Sequence, residues 1–273
     1  MTVLRSQKWF FKLKNFFTEE KMENIIKCPC CESVNLVKNG ISPSHKQNRL
    51  CKDCNRQFLE NPHDHFVTEY EKSLIRKHLL ERLALSAICR IMNVSYNWLL
   101  KFAEKEYKNS PDNLNIILPK FQNFSKEFTL EVCEGDELWS FVGNRKDKKN
   151  VVWVWLIIHV ESRQIMAMYC GDRTARSARK LWMNLPNFIR KNGYFYTDYC
   201  KSYLKVLPKS RHEAVGKDSG LTNNVEGFNC ILRQRVARLV RETLSFSRKF
   251  ENHVGAIKYF ICHHNLTVNS SYT

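Results

Sequence analysis

The spacing of apolar positions divides the chain into three differently patterned stretches. Residues 22–62 hold no long apolar period. Short alternations at Val34 to Asn39 and Arg49 to Cys51 predict two small strands between turns. Residues 66–108 switch to helical spacing. Leu74, Ile75, His78 and Leu79 share one face, and Leu85 to Met92 predicts a second helix with Ala87, Ile88 and Ile91 inward. Asn93-Val94-Ser95 then reads as a short turn with Ser95 as N-cap, and Tyr96 opens a third helix that buries Trp98, Leu99 and Phe102.

From residue 128 onward, β-type runs come first. Phe128 to Val132 alternates, Val151 to Ile158 is an apolar run, and Gln164 to Cys170 follows as a third strand. Thr174 to Leu185 predicts a helix with Ala178, Leu181, Trp182 and Leu185 inward, stopped or kinked by Pro186. A short strand, Tyr194 to Asp198, ends on a carboxylate, and Asn223 to Leu239 has helical spacing. The stretch 109–127, with Ser110-Pro111-Asp112-Asn113 and Pro119, reads as a linker, and residues 1–21 as a basic extension. The predicted class is therefore α+β and multidomain: a small cysteine-rich unit (22–62), a helical unit (66–108), a linker, and an α/β domain (128–273). Three strands, a helix, a fourth strand and a late acidic helix make up the ribonuclease-H-like order.

Charge narrows the partners. Lys and Arg outnumber Asp and Glu by 44 to 27, a net +17, which points to a polyanion and to double-stranded DNA first. The longest apolar run, Val151 to Val160, is about half of what a membrane-spanning helix needs, so no membrane role is expected. Residues 1–20 do not read as a secretory signal, because Lys, Arg and Glu interrupt them. Of 11 cysteines only those between Cys28 and Cys54 cluster, as expected in a reducing compartment; a cytoplasmic, nucleoid-associated location follows.

Cys28-Pro29-Cys30-Cys31 and Cys51-Lys52-Asp53-Cys54 form two Cys-x-x-Cys knuckles, which suit structural tetrahedral Zn²⁺ in a zinc ribbon. Cys28, Cys31, Cys51 and Cys54 are the expected ligands and Cys30 the spare. The helical unit fits a helix-turn-helix, with Tyr96, Asn97, Lys101 and Lys105 toward a major groove; a plain helical hairpin fits the spacing nearly as well. In the α/β domain, Asp136, Asp198 and Glu226 fall on two strands and a helix. Such carboxylates can converge to hold two Mg²⁺ (or Mn²⁺) for phosphodiester chemistry. Asn229 and Arg233 share a helix face with Glu226, and Arg235, Arg238 and Arg241 form a second basic row suited to a DNA backbone. Ser140, Asn144 and Arg145 are further candidates for backbone contact. Glu134, Glu137 and Asp172 are surplus acids that spacing alone does not separate from the triad.

At these residues the sequence resembles the insertion sequence 1 family of transposases. The resemblance runs from Cys28 to about His253. It rests on Asp136-Glu137-Leu138-Trp139-Ser140-Phe141-Val142-Gly143, Gly171-Asp172-Arg173-Thr174, Thr197-Asp198 with Tyr203, and His212 with Gly216-Lys217. Its most specific part is Thr222-x-x-x-Glu226-x-x-Asn229-x-x-Leu232-Arg233, continuing through Arg238-Leu239-x-Arg241-x-Thr243-Leu244-Ser245-Phe246-Ser247. The resemblance implies a DDE-type catalytic triad on Asp136, Asp198 and Glu226, phosphate positioning by His212 and Lys217, and a homo-oligomer holding two DNA ends. Gly227 and the Tyr199-Cys200 pair depart from the family's pattern. The competing expectation is a regulator that binds DNA without cutting it.

Overall fold

In this computed structural model the described residues are 26–42, 45–60, 67–117, 130–144, 147–240 and 243–270. Two compact units divide the chain, Met1–Thr68 and Glu69–Thr273. In the first, three short antiparallel strands form one sheet in the order β1 (Leu36–Ile41), β2 (Gln47–Cys51), β3 (Gln57–Leu59). Among the described residues up to 60, only Cys28 and Cys51 are deeply buried apolar side chains, so this described part has almost no hydrophobic core.

The second unit begins with three helices, α1 (Glu69–His78), α2 (Leu85–Met92) and α3 (Tyr96–Lys108). Asn93 closes α2 in the left-handed region at φ 50°, and the Ser95 Oγ accepts from the Trp98 amide at 3.3 Å, the N-cap its sequence position predicts. Ile75, Ile88 and Leu99 are fully buried. Ile91 corrects the sequence reading: it is 56% exposed, because the inward stripe of this short helix runs through Ile88 and stops there. Trp98 and Phe102 are only half-buried and stack on each other with centroids 5.2 Å apart.

Five strands build the larger sheet in the order β6 (Ile165–Gly171), β5 (Val151–His159), β4 (Glu131–Phe141), β7 (Gly193–Thr197), β8 (His212–Ala214). The β4, β5 and β6 strands form an antiparallel meander, whereas β7 and β8 run parallel to β4. Helices cover both faces, which explains why Val151 to Ile158 is apolar without alternation. On one face Leu138, Val154 and Leu156 pack with α7 (Asn223–Arg235) and α8 (Phe250–Ser270) through Val225, Phe228, Leu232, Ile257 and Ile261. On the other, Trp155, Ile157 and Phe195 pack with α4 (Ala175–Asn184), α5 (Asn187–Asn192) and α6 (Lys201–Leu204) through Leu181, Ile189 and Tyr203. The late helix ends at Arg235, earlier than its periodicity suggests, and Ala237–Leu239 continues as a 3-10 turn.

The central strand β4 is unusually polar for its position, and each of its buried polar side chains has a partner on another element. Glu131 pairs with His159 at 2.8 Å, Glu134 accepts from the Asn224 and Val225 amides at 2.7 and 2.9 Å, and Ser140 bonds His253 at 3.2 Å. Glu134 thus satisfies free amides at the start of α7 and complements the helix dipole.

The stretch 109–117 lies against the sheet domain: Ser110 and Leu114 are buried, and Gln164 exchanges two hydrogen bonds with Ile117. The remainder of the stretch read as a linker lies outside the described residues.

Helix α8 crosses α3 at Gly255. A Cβ at this position would lie 2.7 Å from the Tyr107 Cβ, which is too close for two packed carbons. Gly255→Val is therefore expected to destabilise the protein by about 1–3 kcal/mol despite the better helix propensity of Val. Chemical denaturation checks this; unchanged stability would show that the two helices separate freely.

Candidate active site

Asp136 sits mid-strand on the central β4, half-buried, on the face covered by α7. Parallel pairing of Gly135 with Thr197 brings the end of β7 alongside, so Asp198 leaves the sheet next to Asp136. Glu226 lies in the first turn of α7, anchored through Glu134 to the same strand. Three residues further along, Asn229 Nδ2 donates to Asp136 Oδ2 at 2.7 Å. The fold thus collects four of the predicted site residues from three elements.

Electrostatics agree with that convergence. Burial pushes the Asp136 carboxyl up to about 6, and the Asp198 and Glu226 charges push in the same direction, against the Asn229 hydrogen bond. Asp198 Oδ1 accepts from the Cys200 amide at 3.0 Å, and Glu226 accepts from the Thr222 hydroxyl at 3.1 Å. The three carboxylates do not form a set with all oxygens within 4.8 Å. The acid-containing set that does, among the described residues, is Glu137, Asp198 and Cys200. Glu137 points to the opposite face of β4 from Asp136, as strand alternation requires.

A raised carboxyl pKa means that the folded protein binds its proton more tightly than the unfolded chain. The stabilisation is present at low pH and lost as pH rises through about 6. Buried His253 acts in the opposite sense: burial lowers it to about 4, so its contribution is lost as pH falls. Because the two act in opposite senses, the Asp136 contribution shows in the difference between variants. Without added divalent ions, Asp136→Asn is expected to be more stable than the parent by up to about 3 kcal/mol at pH 8 and no more stable at pH 4. Paired denaturation curves at the two pH values check this, and a pH-independent difference would contradict it.

The other predicted residues fall in different places. His212 Nε2 lies 2.8 Å from Thr197 Oγ1, which itself donates to the Asp198 carbonyl. A hydroxyl has one proton to give, so Nε2 carries the hydrogen and His212 supports the Asp198 turn from behind. Lys217 is exposed and lines a cleft of about 480 Å³ beside Asp198. Arg233 is half-buried on α7. Arg235 pairs with Glu81 at 2.6 Å. Arg238 turns inward: it donates to Ser247 Oγ and the Asn252 carbonyl at 2.8 and 2.6 Å and lies 5.4 Å over the Tyr107 ring. Arg241 and Arg145 lie outside the described residues. Ser140 is buried and bonded to His253, which withdraws it from DNA-facing surface, and the Asn144 carbonyl accepts from Asn150. On α3, Tyr96, Asn97, Lys101 and Lys105 are all exposed.

Two of the surplus acids acquire structural roles. Glu134 holds α7, and Asp172 accepts from the Thr174 amide and the Thr174 and Ser177 hydroxyls at the start of α4. The third, Glu137, holds Arg173 at 2.6 Å, a pair that spacing alone gave no reason to single out.

In the first unit Cys28, Cys31, Cys51 and Cys54 come together with all sulfurs within 4.8 Å. Cys28 and Cys54 are 3.5 Å apart, and Cys31 and Cys51 3.6 Å. Tetrahedral Zn–S bonds of about 2.3 Å place sulfurs about 3.8 Å apart, so this cluster is compatible with zinc. Cys30 is exposed outside it.

A sequence model described as IS1 transposase matches residues 130–267, the stretch that carries Asp136, Asp198 and Glu226. The chain belongs to the IS1 transposase family. Its IS1 relatives include the insertion element iso-IS1n protein InsB of Shigella dysenteriae, 35% identical over 49% of this chain and 95% of the relative. The IS1 protein InsB of Shigella flexneri is 29% identical over 48% of this chain and 94% of its own. The IS1 4 protein InsB of Escherichia coli K12 is 28% identical over 48% and 74%. Among solved structures, a chain of the simian T-cell lymphotropic virus intasome with PP2A regulatory subunit B56 gamma aligns at TM-score 0.30 and 13% identity, over 60% of this chain and 58% of its own. Membership of the IS1 family supports a transposase role and DNA as partner. Among the described residues no helix is long and apolar enough to cross a membrane.

Proposed function

We propose that this IS1-family chain cuts DNA at the ends of an insertion element to free a 3′-OH and joins that end to target DNA by transesterification. What supports the reading is Asp136 on the central strand, bonded by Asn229 of α7 at 2.7 Å and paired in register with the end of β7, with the Asp198 and Glu226 charges acting on it. On this reading residues 128–273 are a ribonuclease-H-like DDE domain.

The donors present suit a divalent cation. The Asn229 Oδ1 is buried without a partner next to Asp136, and three mutually repelling acids relax when a cation joins them. Asp136, Asp198 and Glu226 would hold Mg²⁺ or Mn²⁺, which when bound polarise phosphoryl oxygen and activate the attacking oxygen. The chain's own groups do the rest. Asn229 fixes the Asp136 carboxylate, His212 and Thr197 fix the turn that presents Asp198, and Lys217 offers a charge to a phosphate in the cleft. Arg233 and Arg235 belong to the same basic helix, while Arg238 serves the α3–α8 junction.

The zinc ribbon (22–62) and the helix-turn-helix (66–108), with Tyr96, Asn97, Lys101 and Lys105 outward, would recognise the element's inverted repeats. Holding two ends together calls for a homo-oligomer, acting in the cytoplasm at the nucleoid.

The test is an end-cleavage and strand-transfer assay with duplex oligonucleotides carrying the element's own ends. Cleavage that depends on added Mg²⁺ or Mn²⁺ and leaves a 3′-OH is expected. End binding without any cleavage would instead identify a DNA-binding regulator.

A further inference from the structure

The cleft beside Asp198 is lined by Arg173, Tyr199, Lys201, Ser202 and Lys217, a lining rich in positive charge next to an acid. Of these, Arg173 is held with unusual care. Glu137 Oε1 accepts from its Nε at 2.7 Å and its Nη2 at 2.6 Å, the Trp153 ring lies 4.5 Å from its guanidinium carbon, and its carbonyl accepts from Ser202 Oγ. The Glu137 side chain is wholly buried, whereas that of Arg173 is 47% exposed. Burying a carboxylate to orient a half-exposed cation is a poor way to gain stability. It is a good way to preorganise a donor for a planar oxyanion such as a phosphate. Nη2 also lies 3.8 Å from Asp198, so the guanidinium borders the reacting centre.

Tyr199 supplies a second, independent feature. It is 69% exposed at the cleft, with its ring near Gly216, where an added Cβ would lie 3.9 Å from it. An exposed aromatic beside a row of cations is the arrangement that binds single-stranded nucleic acid, phosphates on the cations and bases stacked on the ring. The volume, about 480 Å³, admits a small-molecule-sized group but not a duplex.

We propose that this cleft holds one unpaired nucleotide of the DNA strand at the reacting end, its phosphate on Arg173, Lys201 and Lys217 and its base on Tyr199. Glu137 is then a positioning residue that acts through Arg173. The inference rests on the transposase reading and names the strand subsite within it.

The probe is a short duplex with a single-stranded overhang containing 5-iododeoxyuridine, compared with the same duplex blunt-ended, using the full chain. Irradiation is expected to cross-link the overhang to the peptide carrying Tyr199. Tyr199→Ala and Arg173→Gln should each weaken overhang binding at least about fivefold and leave blunt-duplex binding within about twofold. Arg173→Gln should also lower the salt-dependence slope for the overhang by about 0.7, the share of one single-strand phosphate contact. A cross-link mapping elsewhere, or unchanged overhang binding by Tyr199→Ala, overturns the proposal; that exposed residue can be replaced without disturbing the core. Asp136→Asn separates the two readings, because it is expected to keep the cross-link while losing cleavage.

Discussion

Replacing Asp136 by Asn is expected to lower DNA-end cleavage at least about a thousandfold while end binding changes less than about twofold. The substitution keeps the shape and the Asn229 neighbour but removes the charge that lies between two elements and one helix. About 4 kcal/mol of lost transition-state stabilisation corresponds to that factor, a loss that removing a metal-holding charge readily produces. Asp198→Asn and Glu226→Gln should behave in the same way. The informative contrast lies on the same strand. Glu134→Gln removes a charge two residues from Asp136 but serves the α7 amides, so it should lower stability without an equivalent loss of chemistry per folded molecule. Single-turnover cleavage, normalised to the folded fraction, distinguishes the two classes. Equal losses at Glu134 and Asp136 would mean that the triad has been wrongly chosen.

The second large effect concerns zinc. Cys28→Ser with Cys31→Ser removes half of a four-thiolate cluster around which the described residues 26–60 bury almost nothing else apolar. Structural zinc contributes about 10–16 kcal/mol of apparent binding free energy in small modules of this kind, far more than the side chains of residues 26–60 bury enough surface to supply. The double variant is expected to lose one equivalent of bound zinc, to become protease-sensitive around residues 26–60, and to lose end binding. The fold of the second unit should remain. Zinc content and limited proteolysis read this directly, and an intact, protease-resistant first unit without metal would refute it.

Much of this was legible in the sequence because the relevant signals are local. Two Cys-x-x-Cys knuckles specify a four-sulfur cluster by themselves, and Ser95 before an amphipathic run marks a helix start that the structure places at Tyr96. Strand runs at Val151 to Ile158 and Tyr194 to Asp198 stood out through apolar content, and they carry or flank the acids. Other features were hidden for physical reasons. The 21-residue α8 lacks a clear amphipathic stripe, because it packs on both the sheet and α3 and buries polar His253 and Asn265. Asn265 bonds Ile165 N and O and the Leu114 carbonyl, contacts 100 and 151 residues away that no window of sequence displays. Basic spacing groups Arg238 with a DNA-facing row, and only the fold shows its Nη1 donating to Ser247 and Asn252. The Glu137–Arg173 pair joins a central strand to a turn 36 residues on, so its meaning needed the fold.

On the proposed reading Asp136, with Asp198 and Glu226, would hold the divalent metal that cleavage needs. Asp136→Cys is the sharpest probe of that role, because a thiolate is a poor ligand for Mg²⁺ and a better one for the softer Mn²⁺. The measurement is the ratio of end-cleavage rates in Mn²⁺ and Mg²⁺, taken for the variant and for the parent chain. A ratio at least about tenfold higher is expected for Asp136→Cys. A variant that cleaves in Mg²⁺ as the parent does, with the same ratio, would contradict it.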